Sequence, residues 1–181
     1  MIYLFLAQGF EEIEALTPVD VLRRGKTDVV TVGIGGRTIT SSHGITVTAD
    51  IADSELKNFD GVEAIVLPGG MPGTLNLEAN ETVQSAVRYC AGNDIIIGAI
   101  CAAPSILAHA GLLENKRATC FPSFAGELKG CIPTDEFVCR DGNIITARGM
   151  GVSLDFGLAL LEAVRDAETA EKVRTAIQCR R

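Results

Sequence analysis

The sequence lacks several features that would direct it to particular functions. It has no tryptophan, only two histidines and no basic run longer than Arg23-Arg24 or Arg180-Arg181, and its formal net charge is −7. Nucleic acid binding needs clustered cations that neutralise phosphates, so no nucleic-acid partner is expected. The opening MIYLFLA has no Lys or Arg before its apolar residues, unlike a secretory signal, which predicts a cytoplasmic protein.

The closely spaced cysteine pairs typical of zinc sites are also missing from the sequence. None of the six cysteines forms a C-x-x-C pair; they are Cys90, Cys101, Cys120, Cys131, Cys139 and Cys179. With only two histidines to help them, a zinc site is disfavoured and no metal is expected. Because cytosolic thiols are kept reduced, the even number is no evidence for disulfides.

One uncharged stretch reaches the length of a membrane span. It covers the nineteen residues from Ile95 to Leu113. Gly98 and Pro104 interrupt it, and its three opening isoleucines are typical of a buried strand. We therefore expect no membrane association.

Apolar residues make up 47% of the 181 residues, enough for the core of a single domain over residues 1–181. Short apolar runs predict strands at Ile2 to Leu6, Val29 to Val32, Ala64 to Leu67, Ile95 to Ala99 and Ile144 to Ala147. Helical patterns cover Glu11 to Arg24, Ser54 to Asn58, Glu81 to Ala91, Ala102 to Ala110, Val152 to Val164 and Ala167 to Gln178. Pro18 predicts a kink or a second helix start, and Gly35-Gly36 and Asp141-Gly142 predict hairpin turns. The alternation predicts an α/β fold with a mostly parallel sheet.

Ligands of open parallel sheets bind beyond the carboxyl ends of the strands. This rule selects three loops, which are Gln8 to Glu14, Pro68 to Gly73 and Gly98 to Pro104. Together they supply carboxylates, exposed backbone amides and a thiol. We expect the functional site where these loops meet.

Cys101 stands where a predicted strand turns into a predicted helix, between the small residues Ala99 and Ala102. This arrangement resembles a nucleophile elbow, and a position near a helix N-terminus favours the thiolate form. The alternative is a buried and inert cysteine. No obvious Cys-His pair is present, because His43 follows a Ser-rich turn and would reach Cys101 only through tertiary packing or from another subunit.

Glu14 is the alternative proton partner. A carboxyl group in an apolar setting between Ile13 and Ala15 can stay protonated and donate to a thiolate. The competing interpretation is that Glu14 only matches the helix dipole. Gly69 and Gly70 can aim their amides at an anion or oxyanion, or can simply form a turn.

Taken as a set, these three loops resemble the ThiJ/PfpI superfamily, and specifically its DJ-one branch. The resemblance rests on Ala7 to Glu14, Val66 to Gly70 and Ala99 to Pro104, and it continues through Pro18 to Arg24 and Ala147 to Gly151. It implies a flavodoxin-like three-layer sandwich, usually a homodimer, without cofactor. It also implies that Cys101 is the oxidisable nucleophile, that Glu14 is a protonated partner, and that the Gly70 and Ala102 amides hold an oxygen near the sulfur.

The family resemblance implies two kinds of function. One is cofactor-free conversion of a small aldehyde, methylglyoxal, to lactate, with a related deglycase activity. The other is redox sensing or chaperoning under oxidative stress. Phe121 stands where many members carry a histidine, so proton transfer would fall to Glu14. Cys120 next to it is a candidate second redox thiol, with a buried strand cysteine as the alternative.

Overall fold

The computed structural model describes residues 1–179, so Arg180-Arg181 lies outside it. The strands are β1 (Ile2–Leu6), β2 (Val29–Gly33), β3 (Thr38–Thr40), β4 (Thr46–Thr48), β5 (Ile51–Ala52), β6 (Ala64–Leu67), β7 (Ile96–Ile100), β8 (Arg117–Ala118), β9 (Ile132–Pro133), β10 (Val138–Asp141) and β11 (Ile144–Ala147). The α-helices are α1 (Glu12–Arg24), α2 (Gly73–Glu78), α3 (Glu81–Gly92), α4 (Pro104–His109), α5 (Ser153–Val164) and α6 (Ala167–Ala176). Short 3₁₀ turns cover Asp53–Glu55, Pro122–Glu127 and Met150–Val152.

Seven strands form one sheet in the order β10-β11-β7-β6-β1-β2-β5. All neighbours pair in parallel except β10, which is antiparallel to β11 across the predicted Asp141-Gly142 turn. The predicted mostly parallel α/β sheet is therefore confirmed. Strand order reverses at β1, which lies between β2 and β6, and this reversal is where a ligand crevice forms in such sheets.

Alternate side chains of the buried strands supply two cores, one on each face of the sheet. In β1, Ile2 and Leu4 face a core that also holds Phe156 of α5, while Phe5 faces the opposite core with Val87 of α3. Helices α1, α5 and α6 cover the first face, and α2, α3 and α4 cover the second. The result is a three-layer sandwich with the site loops emerging at one edge.

Two local predictions were wrong, and one helix was missed. The Gly35-Gly36 hairpin does not form, because β2 already has parallel partners on both sides and β3 pairs instead with β4. The helix predicted over Ser54 to Asn58 is a single 3₁₀ turn. Helix α2 was not predicted from its glycine-rich start. Pro18 neither divides nor ends α1, which is continuous.

The stretch considered as a membrane span is divided between β7 and α4. Within residues 1–179, no helix is both long and apolar enough to cross a membrane.

Candidate active site

The three predicted loops meet beside the point where strand order reverses. They follow β1, β6 and β7, which are adjacent in the sheet and run parallel, so their carboxyl ends open at one edge. The loops bring Glu14, Gly69 and Cys101 together. A Cβ added to Gly69 would lie 2.6 Å from Glu14 Oε2 and 2.7 Å from Cys101 Cβ.

Cys101 occupies a sharp turn directly after β7. Its φ is +65°, a left-handed conformation that costs a residue with a Cβ about 1–2 kcal/mol. Two backbone hydrogen bonds hold the turn: the Cys101 amide donates to the Ala147 carbonyl at 2.9 Å, and the Phe121 amide donates to the Cys101 carbonyl at 2.9 Å. The surrounding chain therefore fixes a strained residue whose side chain is half-buried, as at a nucleophile elbow.

Glu14 lies in the first turn of α1 and is only 1% exposed. Its own amide donates to Glu11 Oε2 at 2.7 Å, which caps the helix. Its Oε2 accepts a hydrogen bond from the Gly69 amide at 3.0 Å, and its carboxyl group also hydrogen-bonds to the Cys101 thiol. A buried carboxyl group is thus directed at the sulfur by the packing of α1 against the Gly69 loop.

Burial governs the charge of the Glu14 and Cys101 pair. It raises the pKa of the Glu14 carboxyl to about 7. Burial, and then the charge of Glu14, raises the pKa of the Cys101 thiol to about 12, although the Ala102 and Gly70 amides act in the opposite direction. The sequence predicted that a nearby helix N-terminus would favour the Cys101 thiolate. Burial instead raises the thiol pKa, and α4 begins only at Pro104, three residues after Cys101.

Two anions in contact repel each other, so the pair holds at most one negative charge near neutral pH. Protonation of Glu14 removes the charge that opposes a thiolate on Cys101. It also leaves an O–H group able to donate to the sulfur. The pair can therefore exchange one proton between oxygen and sulfur as a reaction proceeds.

Backbone amides surround both groups. The Gly70 and Ala102 amides donate to the Cys101 sulfur. The Gly69 amide, which was expected to face an anion, donates to the Glu14 carboxyl group instead. Gly70 has a φ of +91°, and a Cβ there would lie 2.4 Å from the Glu11 amide nitrogen, so only glycine fits. The loop can therefore stabilise negative charge on or near the sulfur.

Within residues 1–179, neither of the two candidate accessory residues, His43 and Cys120, forms a hydrogen bond with Glu14 or Cys101. His43 is exposed, and its Nδ1 lies 3.0 Å from the Glu12 carboxylate. The hydrogen bond to Glu12, and then the negative charge of that carboxylate, raise the pKa of His43. Cys120 is buried, and burial raises its thiol pKa to about 11.

Metal-ligating side chains also cluster near this end of the sheet. Among residues 1–179, the one such group is Glu11, Glu12 and His43, whose ligand atoms lie within 4.8 Å of one another. Glu11 already caps α1, and Glu12 already pairs with His43. This cluster contains neither Cys101 nor Glu14.

Sequence reasoning assigned no site role to Gly149 and Met150. The Met150 amide hydrogen-bonds to the Glu14 carboxyl. A Cβ on Gly149 would lie 3.3 Å from Phe121 Cδ2, 3.7 Å from Glu14 Oε1 and 3.9 Å from Cys101 Sγ. The available signal was position, because this loop follows β11, the neighbour of β7 in the sheet.

Comparison with known proteins agrees with this geometry. Residues 1–163 match the DJ-1/PfpI family. The chain belongs to that family. It is 36% identical to Drosophila melanogaster "Protein DJ-1alpha" over 96% of this chain and 82% of that protein, and 30% identical to the Danio rerio "Parkinson disease protein 7 homolog" over 95% and 93%.

Solved structures of family members have the same fold. "Toxoplasma gondii DJ-1, oxidized" superposes with a TM-score of 0.93 at 28% identity, covering 98% of this chain and 97% of that one. The DJ-1/PfpI fold is thus shown for this chain, and the predicted resemblance is confirmed. Longer family members exist: the chain spans 36% of the Arabidopsis thaliana "Protein DJ-1 homolog B".

Proposed function

We propose that this DJ-1/PfpI protein converts small 2-oxoaldehydes to 2-hydroxy acids without a cofactor. The observation that carries the proposal is the buried Glu14 carboxyl hydrogen-bonded to Cys101, with the Gly70 and Ala102 amides donating to the same sulfur. This arrangement supplies a nucleophile, a proton carrier and donors for a developing oxyanion. A deglycase activity on glyoxal-modified groups would use the same nucleophile.

The reaction balances within the substrate and one water molecule. The Cys101 thiol gives its proton to the Glu14 carboxylate as the sulfur adds to the aldehyde carbon, and the resulting alkoxide accepts hydrogen bonds from the Gly70 and Ala102 amides. Glu14 then passes that proton to the alkoxide, which leaves a hemithioacetal and frees the carboxylate for the next transfer. Glu14 takes the proton from the former aldehyde carbon and returns it to the adjacent carbon, which oxidises the first carbon and reduces the second. Water then cleaves the thioester, releasing the 2-hydroxy acid and the free thiol.

Glu14 must carry this proton because the residue beside the site, Phe121, has an apolar side chain. Phe121 lies next to Cys101 through its backbone hydrogen bond but has no group that titrates. A carboxyl group with a pKa of about 7 is well suited to accept and return a proton near neutral pH.

Methylglyoxal turnover by the purified protein tests the proposal. Cys101→Ser should abolish turnover, and Glu14→Gln should lower it about 100-fold or more, the usual contribution of a general acid–base. Cys131→Ser is the matched control, because Cys131 is also a half-buried thiol but contacts neither group. Unchanged rates in the Cys101 and Glu14 variants would remove the proposal.

The second candidate function is redox sensing, or chaperoning switched by oxidation. The observation that favours it is the pair of amides at the sulfur, which would also hydrogen-bond an oxidised Cys101. Peroxide would transfer one oxygen to the thiolate and leave as water or hydroxide, and a second peroxide would give the sulfinic acid. Selective gain of oxygen at Cys101 in mass spectra, with negligible aldehyde turnover, would favour sensing, whereas oxidation spread over all six thiols would oppose it.

We also propose a homodimer that works in the cytoplasm. Ile13 and Leu16 are exposed on α1, the helix that carries Glu14, and a second copy would bury this apolar surface. Light scattering of the purified chain should give twice the monomer mass. Leu16→Lys should shift that mass toward the monomer, and a monomeric wild-type protein at micromolar concentration would contradict the proposal.

A further inference from the structure

An apolar cavity of 370 Å³ includes Gly149, the residue that adjoins Cys101 and Glu14. The side chains that line it are mostly carbon and include Phe121, Pro122, Phe137, Met150 and Val152. The cavity is open to solvent, because Phe121, Phe137 and Met150 are each about half exposed. Its lining offers more apolar surface than the single methyl group of methylglyoxal can cover.

Gly149 joins the cavity to the reactive groups. It lines the cavity, and the position of its missing Cβ lies 3.3 Å from Phe121 Cδ2 and 3.9 Å from Cys101 Sγ. The absence of a side chain leaves the apolar wall open to the sulfur. A substrate whose aldehyde carbon reaches Cys101 would place its substituent against this wall.

Three walls of the cavity expose large apolar surfaces. Phe121 is 46% exposed, Phe137 is 63% exposed and Met150 is 54% exposed. Within residues 1–179, Arg148 is the only charged residue that lines the cavity. Its guanidinium lies 5.3 Å from the Phe137 ring centroid and 3.1 Å from Asp135, so its charge is already matched. An apolar substituent would cover these surfaces, whereas a polar one would find few partners.

We propose that this cavity selects 2-oxoaldehydes with an aromatic or similarly bulky apolar substituent, such as phenylglyoxal, over methylglyoxal. The inference rests on the proposed aldehyde chemistry and adds its substrate class. Phe121, at the position where the resemblance implies a histidine in many members, contributes an apolar wall rather than a proton carrier. One methylene group more or less in a hydrophobic pocket changes kcat/KM by about 10–200-fold. A phenyl group in place of a methyl group should therefore change kcat/KM by at least as much.

The test compares kcat/KM for phenylglyoxal and methylglyoxal as a ratio, so that effects common to both substrates cancel. Phe137→Ala should lower the ratio at least tenfold, and Phe137→Leu should retain most of it. Ile132→Ala is the matched control, because Ile132 is 53% exposed but does not line the cavity. Because the Phe137 side chain is largely exposed, both variants should keep the fold.

A binding measurement separates this inference from the proposed reaction. Mandelate, the product expected from phenylglyoxal, should protect Cys101 from iodoacetamide at least tenfold better than lactate does, and Phe137→Ala should remove that advantage. Turnover with an unchanged ratio in Phe137→Ala overturns the cavity inference alone. Protection by mandelate without any turnover refutes the reaction and supports the cavity. Absence of both turnover and selective protection refutes the two together.

Discussion

Replacing Gly69 with alanine should separate Glu14 from Cys101 without removing either group. The new Cβ would lie 2.6 Å from Glu14 Oε2, 2.7 Å from Cys101 Cβ and 3.0 Å from the Ile100 carbonyl oxygen. Nonbonded carbon atoms normally approach to about 3.5–4.0 Å, so the neighbours must move by about 0.8 Å or more. Two of the three obstructing atoms belong to the proposed reacting residues.

A shift of about 1 Å in a reacting group costs roughly 100-fold in rate, so methylglyoxal turnover by Gly69→Ala should fall about 100-fold. The overlap should also lower the free energy of unfolding by about 1–3 kcal/mol, as overpacking commonly does. Turnover is measured by product formation, the fold by circular dichroism and stability by urea unfolding.

Gly92→Ala is the control for the same chemical change at a distance. A Cβ on Gly92, the last residue of α3, would meet nothing within 4 Å. This variant should keep wild-type turnover and match or exceed wild-type stability. A folded Gly69→Ala protein with wild-type turnover would refute the argument that this close packing sets the geometry of the pair.

Two further predictions concern stability. His109→Gln should lower the free energy of unfolding by up to about 1 kcal/mol at pH 5.5 and by nothing at pH 9. A hydrogen bond to Glu78 and a second one to Glu127 raise the pKa of this half-exposed histidine, so the stability present below its unfolded-state pKa is lost as pH rises through its folded-state pKa. Equal effects at both pH values in urea unfolding would contradict this prediction. Gly98→Ala should cost about 1–3 kcal/mol, since its Cβ would lie 2.7 Å from Leu160 Cδ2, and an unchanged urea midpoint would show that the helix layer can yield there.

Much of the sheet could be predicted because its strands are buried on both faces. Continuous apolar runs therefore marked β1, β6 and β11 within a residue of their bounds. The Gly35-Gly36 turn misled the prediction because a glycine pair specifies a local bend but not a partner strand. Which strand lies beside β2 depends on parallel pairing with distant segments, which local pattern does not encode.

The candidate site was predictable in its members but not in its electrostatics. Parallel strands end at one edge, so the loops carrying Glu14, Gly70 and Cys101 could be grouped from sequence. The sequence could not show that burial would outweigh the helix N-terminus in setting the thiol pKa. It also gave no sign that the loop after β11 would place Gly149 between the sulfur and Phe121, since that contact is purely tertiary.

Cys101 and Glu14 should share one proton, and the pH dependence of Cys101 alkylation measures this coupling. Alkylation by iodoacetamide is followed by mass spectrometry from pH 5 to 10 in the wild type and in Glu14→Gln. The wild-type rate should have an inflection at the Glu14 pKa of about 7, and this inflection should disappear in the variant. Superimposable profiles would contradict a shared proton.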